Sequence, residues 1–427
     1  MATKPSILIC GASIAGPVLA CFLSKAGIKT TIIERSPNFR TTGQQVDIRG
    51  PGLEVVRRMG LEEIVRSRTT EEAGLKFVDE NNQLIAEFPV DKETGMSFSS
   101  DIEILRGELG RIFYDQTQES QNVDYIFGDH VTSLNDNGSK VEVELASGQK
   151  RSFDLVIGAD GQNSKTRRLL FPEIQDPFNS LDNISPTSQS PSNPQTAPSH
   201  KMNEREQKDL FRELFKDAGR EAERVLREMD GCEDWYMQEI GQVKMSFWHK
   251  GRIALLGDAA YCPSPISGAG TSLAIVGAYI LAGEIVRSVK AGKGDLEQAF
   301  GEYENKMRAY VEKAQKLPPG APQIANAQTK MGIMVMKGVL GFVYWSGLVN
   351  LFIRLNKKRV LHIPTIRISG KGLARSNMKS ARCSSPSNNR ADSPAKSPEH
   401  RIKPAPTSPK TGMPAKCHHN LITNSIP

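Results

Sequence analysis

Apolar positions along this 427-residue chain alternate between short buried runs and helical stripes. Ser6–Cys10 is an apolar run of strand length; Val18, Leu19, Cys21, Phe22, Leu23 and Ala26 then recur at helical spacing as far as Gly27. Thr30–Ile33 reads as a second strand running into Glu34. Gly43–Gly60 is a glycine-punctuated loop with a short helix, and residues 101–116 form an amphipathic helix with Arg106 at its start. Over 123–157 the period is two, broken by Asn137-Gly138 and Ser147-Gly148 turns and closing in the buried run Phe153–Ile157. Leu210–Met229 carries one helical stripe, and Tyr236–Ile240 and Val243–Trp248 read as paired strands around Gly241. Ile253–Leu256 is another buried strand, followed by an apolar helix with Thr271-Ser272 as its N-cap chemistry. A charged amphipathic helix spans Gly294–Lys316. Strands alternating with helices in this way predict an α/β fold with a largely parallel sheet.

Three of those strands end in polar turns. After the first comes Gly11-Ala12-Ser13-Ile14-Ala15-Gly16, a dinucleotide fingerprint with Ser13 in place of the middle glycine. Gly11 permits the tight turn, Gly16 lets the helix pack on the strand, and the helix N-terminus faces a pyrophosphate. Glu34, 23 positions after Gly11, is placed to accept hydrogen bonds from ribose hydroxyls and would repel a 2′-phosphate. Arg35 either contacts the adenosine or lies solvated. Arg106 sits where the helix dipole disfavours a cation, which points to a ligand anion or else to a solvated surface arginine. Asp160-Gly161 follows the Phe153–Ile157 strand, and Gly257-Asp258 follows Ile253–Leu256, with Pro263, Pro265, Gly268 and Gly270 beyond it. A carboxylate, a glycine loop and a helix start at a strand's carboxyl end suit a polar ligand; singly, each is an ordinary strand–loop connection.

Composition narrows this reading. Residues 369–427 hold ten Lys and Arg against two acids, so that segment carries +8 and residues 1–368 sum to −1. The body is therefore near neutral, and nucleic-acid binding does not follow from its charge. The six cysteines have neither CxxC pairing nor metal-ligand spacing, which fits a reducing compartment. There is one dinucleotide fingerprint, no triad and no metal motif; His249 reads as a turn residue.

Taken in order, GASIAG with Glu34-Arg35, DLVIGADGQNSKTRR, and RIALLGDAAYCPSPISGAGTSLA resemble the single-component flavoprotein monooxygenases of the para-hydroxybenzoate hydroxylase type, particularly their tetracycline-destructase-like branch. The resemblance spans roughly residues 5–172 and 234–317. It implies a Rossmann-like FAD-binding domain (GR2-type) with a β-sheet substrate domain and C-terminal helices. It also implies bound FAD, with Gly11, Ser13, Gly16, Glu34 and Arg35 at the ADP part and Arg106 near the pyrophosphate. Asp160 falls in a motif tied to both FAD and NADPH. Asp258 would meet the ribityl chain, and Pro265, Gly268, Ala269, Gly270 and Thr271 would line the flavin ring. NAD(P)H is then a transient co-substrate, and O2 supplies the oxygen placed on a small aromatic or polycyclic substrate. The cofactor carries the hard chemistry, while the protein orients substrate and excludes water.

The pattern departs from the family between its second and third motifs. Asp160 and Asp258 are only 98 positions apart, and about 176–202 is rich in Ser, Pro and Asn. The expected layout is an FAD-binding domain in two parts (1–172 and 251–317), a low-complexity linker (173–203), a reduced substrate domain (204–250), an apolar helix region (318–368) and a disordered basic tail (369–427). Two functional readings stand: an active monooxygenase with a reduced pocket, or a flavin-binding remnant serving interaction or membrane tethering. In 331–353 the longest uncharged run is Gly338–Ile353, shorter than the roughly 20 residues that span a bilayer. A helix packed on the FAD domain and an interfacial membrane helix are both open. A cytoplasmic location is expected, with membrane association as the alternative.

Overall fold

The computed structural model describes residues 4–41, 43–70, 74–79, 83–89, 102–174, 177–181, 202–216, 220–232, 235, 237, 240–292, 296–317 and 329–347. In chain order the first part runs β1 (Ser6–Cys10), α1 (Ala15–Lys25), β2 (Lys29–Glu34), β3 (Gln45–Ile48), α2 (Pro51–Met59), α3 (Glu62–Arg66), β4 (Gly74–Val78) and β5 (Leu84–Pro89). It continues with β6 (Ile102–Leu105), α4 (Arg106–Asp115), β7 (Val123–Phe127), β8 (Val131–Asp136), β9 (Val141–Leu145), β10 (Lys150–Phe153), β11 (Leu155–Gly158) and α5 (Lys165–Leu170). Then follow β12 (Phe178–Ser180), α6 (Glu204–Phe215), α7 (Arg220–Glu228), β13 (Gly241–Val243), β14 (His249–Lys250), β15 (Ile253–Leu255), α8 (Asp258–Tyr261), α9 (Gly270–Ala291), α10 (Leu296–Gln315) and α11 (Lys330–Ser346).

The central sheet has the order β14-β15-β11-β1-β2-β7, parallel throughout except for β14. Its middle strands are continuous apolar runs because both faces are covered; Ile7, Leu8 and Ile9 are at most 1% exposed. From β1 the chain moves to β2 on one side and returns later to β11 on the other. The carboxyl ends of β1, β2 and β11 therefore surround the crevice where open α/β sheets bind ligands. Helix α9 is long and apolar enough to cross a membrane, yet most of it is buried against α1, α2 and α10. It is the core helix of this layer.

Several sequence expectations change. The helix expected over 101–116 is split: Ile102–Leu105 forms β6, paired antiparallel with β3 inside what read as a glycine loop. Helix α9 starts at Gly270 with Ala269 as N-cap and no side-chain cap; the Ser272 hydroxyl instead accepts from Arg49 N at 2.9 Å. The stripe over Leu210–Met229 is two helices, α6 and α7. Asn203 caps α6 through a reciprocal box with Glu206.

The supposed linker contains β12, which pairs with β13. Gly241 is needed there for close approach, since a Cβ would lie 2.2 Å from the Phe178 ring. Gly241–Val243 thus pairs with β12, and Tyr236, Gln238 and Glu239 of the strand expected before it lie outside the described residues. His249–Lys250 pairs with β15 instead. The β12–β13 pairing is set by distant chain, which local periodicity does not encode, whereas β14 and β15 are joined by a tight local turn. The end of the 331–353 stretch and the whole tail from 369 also lie outside the described residues.

Helix α10 clamps the β14 edge. Glu304 accepts from Trp248 N at 3.0 Å, meets His249 Nδ1 at 3.1 Å and pairs with Arg308, whose guanidinium stacks over Trp248. Burial alone would raise the Glu304 pKa, but the His249, Trp248 and Arg308 partners outweigh it and hold the carboxyl below its usual range. Glu304→Gln should cost about 1–3 kcal/mol near neutral pH. A depressed carboxyl contributes stability above its unfolded pKa and loses it as pH falls through its folded one. The gap between variant and parent should therefore close in the acidic range below 4.5. Thermal melts across pH read this directly; equal melting temperatures at neutral pH would contradict the clamp.

Candidate functional site

The turn after β1 is built by close approach. Gly11 has φ +115°, and a Cβ on it would lie 2.4 Å from the Ala159 carbonyl oxygen at the end of β11. A Cβ on Gly16 would lie 2.0 Å from Gly11 O, so α1 can sit against the turn only without a side chain there. The N-cap position of α1 is Ile14, which supplies no side-chain cap. Its first N–H groups thus present the positive end of the helix dipole to the crevice. Glu34, at the end of β2, is fixed from both sides: Oε2 accepts from Ala12 N and Oε1 from Ser36 N, each at 3.0 Å.

A cavity of about 480 Å³ opens above these strand ends. Gly11, Ser13, Glu34, Arg35, Arg106 and Asp160 all line it, so six sequence-selected residues converge, from the first two motifs and from the start of α4; Asp258 of the third motif is not among its lining residues. Five cationic side chains (Arg35, Arg40, Arg106, Lys165, Arg168) face three acids (Glu34, Asp129, Asp160) around it. That excess of positive charge beside an uncapped helix start suits a diphosphate. Arg40, Asp129, Lys165 and Arg168 were not singled out from the sequence. Asp129 in particular follows β7, whose place beside β2 is a property of the sheet order.

Arg106 ties the site together. Its backbone N–H donates to Gln44 O at 3.0 Å, and its Nε donates to Ser13 Oγ at 3.3 Å. The residue that departs from the glycine fingerprint therefore positions this cation. Arg106 also acts on Asp258: burial raises the Asp258 pKa, against the pull of Arg106 and a hydrogen bond with Cys262. Asp160 is occupied by its own loop, with Oδ1 accepting from Ser164 Oγ at 2.5 Å and Oδ2 from Thr166 N at 2.9 Å. Arg167, 1% exposed, joins the second motif to the third by donating to Gln162 O and Ala259 O.

Pro265, Gly268, Ala269, Gly270 and Thr271 do not line that cavity; they form the entry to α9, a second helix start without a side-chain cap. Gly268 has φ +59°, and a Cβ on it would meet Arg49 Nη2 at 2.6 Å and Asp47 Oδ2 at 2.8 Å. Asp47 and Arg49 form an ion pair at 2.5 Å. Gln44 Oε1 and Arg49 Nε are buried in this region without a hydrogen-bond partner. Two uncapped helix starts, a cation-rich cavity and orphaned polar atoms beside Arg106 fit a long dinucleotide with a polar ring at its far end.

Comparison with known proteins agrees. An FAD binding domain family model matches residues 4–185 and 189–316, and the chain belongs to that family. It is 35% identical over 338 residues to the FAD-dependent monooxygenase asL4 of Sarocladium schorii, covering 69% of this chain and 78% of the relative. It is 32% identical over 409 residues to the flavin-dependent monooxygenase eupH of a Phoma species, covering 81% and 93%. The crystal structure of tetracycline destructase Tet(51) superimposes with a TM-score of 0.65 at 29% identity, covering 85% of this chain and all of that one. The chain is an FAD-dependent monooxygenase, and its α/β fold is that of the flavin monooxygenases.

Removing the Ser13 hydroxyl frees Arg106 without touching the backbone. Ser13→Ala should weaken FAD binding about 3–10-fold, the worth of one positioning hydrogen bond of about 1 kcal/mol. Gly16→Ala, which drives a Cβ into Gly11 O, should abolish it. Flavin fluorescence titration of the apoprotein measures both; equal affinity in Gly16→Ala would contradict the cradle.

Proposed function

We propose that this chain uses NAD(P)H and O2 to hydroxylate a small aromatic or polycyclic substrate over the flavin. The observation that carries the reading is that the GASIAG and ADG turns and Arg106 line one cavity, while Arg167 ties the ADG turn to the GDAA turn and Arg106 acts on Asp258 there. Gly11, Ser13, Gly16, Glu34 and Arg35 would hold the ADP part, Arg106 the pyrophosphate, and Asp258 the ribityl chain. Pro265, Gly268, Ala269, Gly270 and Thr271 would line the flavin ring. Asp160 supports the site by holding the start of α5. Bound FAD supplies the electron transfer and oxygen activation. The chain's own part is to fix the cofactor, orient the substrate and keep water from the reacting centre.

A single dinucleotide turn supports transient rather than resident NAD(P)H. Tet(51), named for a polycyclic antibiotic, supports the substrate class. Cys10, Cys21, Cys232 and Cys262 are free, which fits a reducing cytoplasmic setting.

One observation favours a second reading, an impaired hydroxylase. The match to the Phoma enzyme runs over 409 positions while using 81% of this chain, so the relative has positions absent here. The family match also breaks between 185 and 189, in the interval shortened before Asp258. Loss of substrate-covering strands would leave the flavin exposed to water. Oxygen uptake and peroxide release, measured together with NADPH and a panel of phenolic and polycyclic compounds, separate the two. The hydroxylase reading expects at least one compound to raise uptake while lowering the peroxide fraction. Full conversion of oxygen to peroxide with every compound would establish the impaired enzyme.

A further inference from the structure

Helix α11 shows its apolar side to solvent. Met331, Met334, Val335, Val339, Phe342 and Trp345 recur at helical spacing, and all are between 56% and 82% exposed. The helix is not adrift: it packs on β5, and Tyr344 meets Phe88 edge-on with ring centroids 6.4 Å apart. That contact fixes which side faces out. Leu75, Val78 and Leu84 of the β4–β5 hairpin add three more apolar side chains at about half exposure. Exposed contiguous apolar surface on this scale marks an interaction site.

Charge states what kind of surface would cover it. From Lys313 to Ala391 the sequence contains fourteen Lys and Arg and no Asp or Glu, while residues 1–368 as a whole sum to −1. The positive charge is thus concentrated on the segment that carries the exposed stripe. A helix of 17 residues is about 25 Å long, short of the roughly 30 Å hydrocarbon core. It can lie in the interface but not span it. An apolar face with Trp and Phe in a stretch of sequence that is basic throughout is the pattern of an in-plane amphipathic anchor on anionic lipid.

We propose that α11 docks this enzyme on an anionic membrane surface, with Phe342 and Trp345 entering the headgroup boundary. The docking does not depend on which substrate is oxidised, and it would hold equally for an impaired enzyme.

The test is flotation of the full-length FAD-loaded protein with phosphatidylcholine vesicles, with and without about one third phosphatidylserine. Tryptophan emission is followed in parallel and the Trp345 part is taken as the difference from Trp345→Phe, because Trp235 and Trp248 also emit. Binding should require phosphatidylserine, weaken with added salt and shift Trp345 emission to the blue. The Phe342→Glu/Trp345→Glu double variant, altered only at exposed positions, should retain flavin yet bind vesicles at least tenfold less tightly. If the double variant loses flavin, Trp345→Ala alone takes its place, with about a tenfold loss expected. No binding to either vesicle, or equal binding by flavin-retaining variants, would overturn the proposal. So would a self-associating protein whose dimer the double variant abolishes. Shielding of Trp345 from a soluble quencher in free monomer would overturn it too, since the chain's own remaining segment would then cover the face.

Discussion

Everything in this molecule depends on how closely two strand ends approach each other. The turn after β1 runs so near the Ala159 carbonyl after β11 that Gly11 has no room for a Cβ, and Gly16 has none against Gly11. That contact sets the uncapped start of α1 over the crevice and brings Glu34 within reach of Ala12 N. It also places Asp160, on the next residue after Ala159, at the same rim. Arg167 then locks the second motif to the third through the Ala259 carbonyl. A side chain at either glycine would separate three elements together, because the turn is shared by the strand, the helix and the neighbouring strand end.

Electrostatics completes what packing begins. Arg106 stands at a helix start, where the dipole opposes a cation, yet Ser13 and the Gln44 carbonyl hold it there. Its positive charge also pulls the Asp258 pKa down, against the burial that raises it. The cation therefore acts on a carboxylate while lining a cavity with a surplus of positive charge. Such a placement is unfavourable in an empty protein and favourable around a diphosphate.

Much of this was legible in the sequence, and the parts that were not have physical reasons. The runs at Ser6–Cys10 and Phe153–Ile157, the glycine spacing and the cation at a helix start are local signals, and they located six residues that share one cavity. Asp129, Arg40 and Arg168 were missed because their proximity comes from sheet order and loop packing. The Ile102–Leu105 strand was absorbed into a helical pattern because four residues cannot establish a period of two against ten helical ones. β12 was hidden in polar low-complexity sequence; its pairing with Gly241–Val243 comes from a partner more than sixty residues away. For the stripe of α11 the sequence left a packed helix and an interfacial one both open, since periodicity gives the spacing of apolar residues but not the direction they face.

The central claim is that the three turns, linked by Arg106 and Arg167, form one FAD site. Its most direct measurement is the flavin content of the purified full-length chain, released by denaturation and identified chromatographically. The account predicts FAD at close to one per chain, retained through gel filtration. A colourless protein that takes up no FAD on incubation with an excess would contradict it.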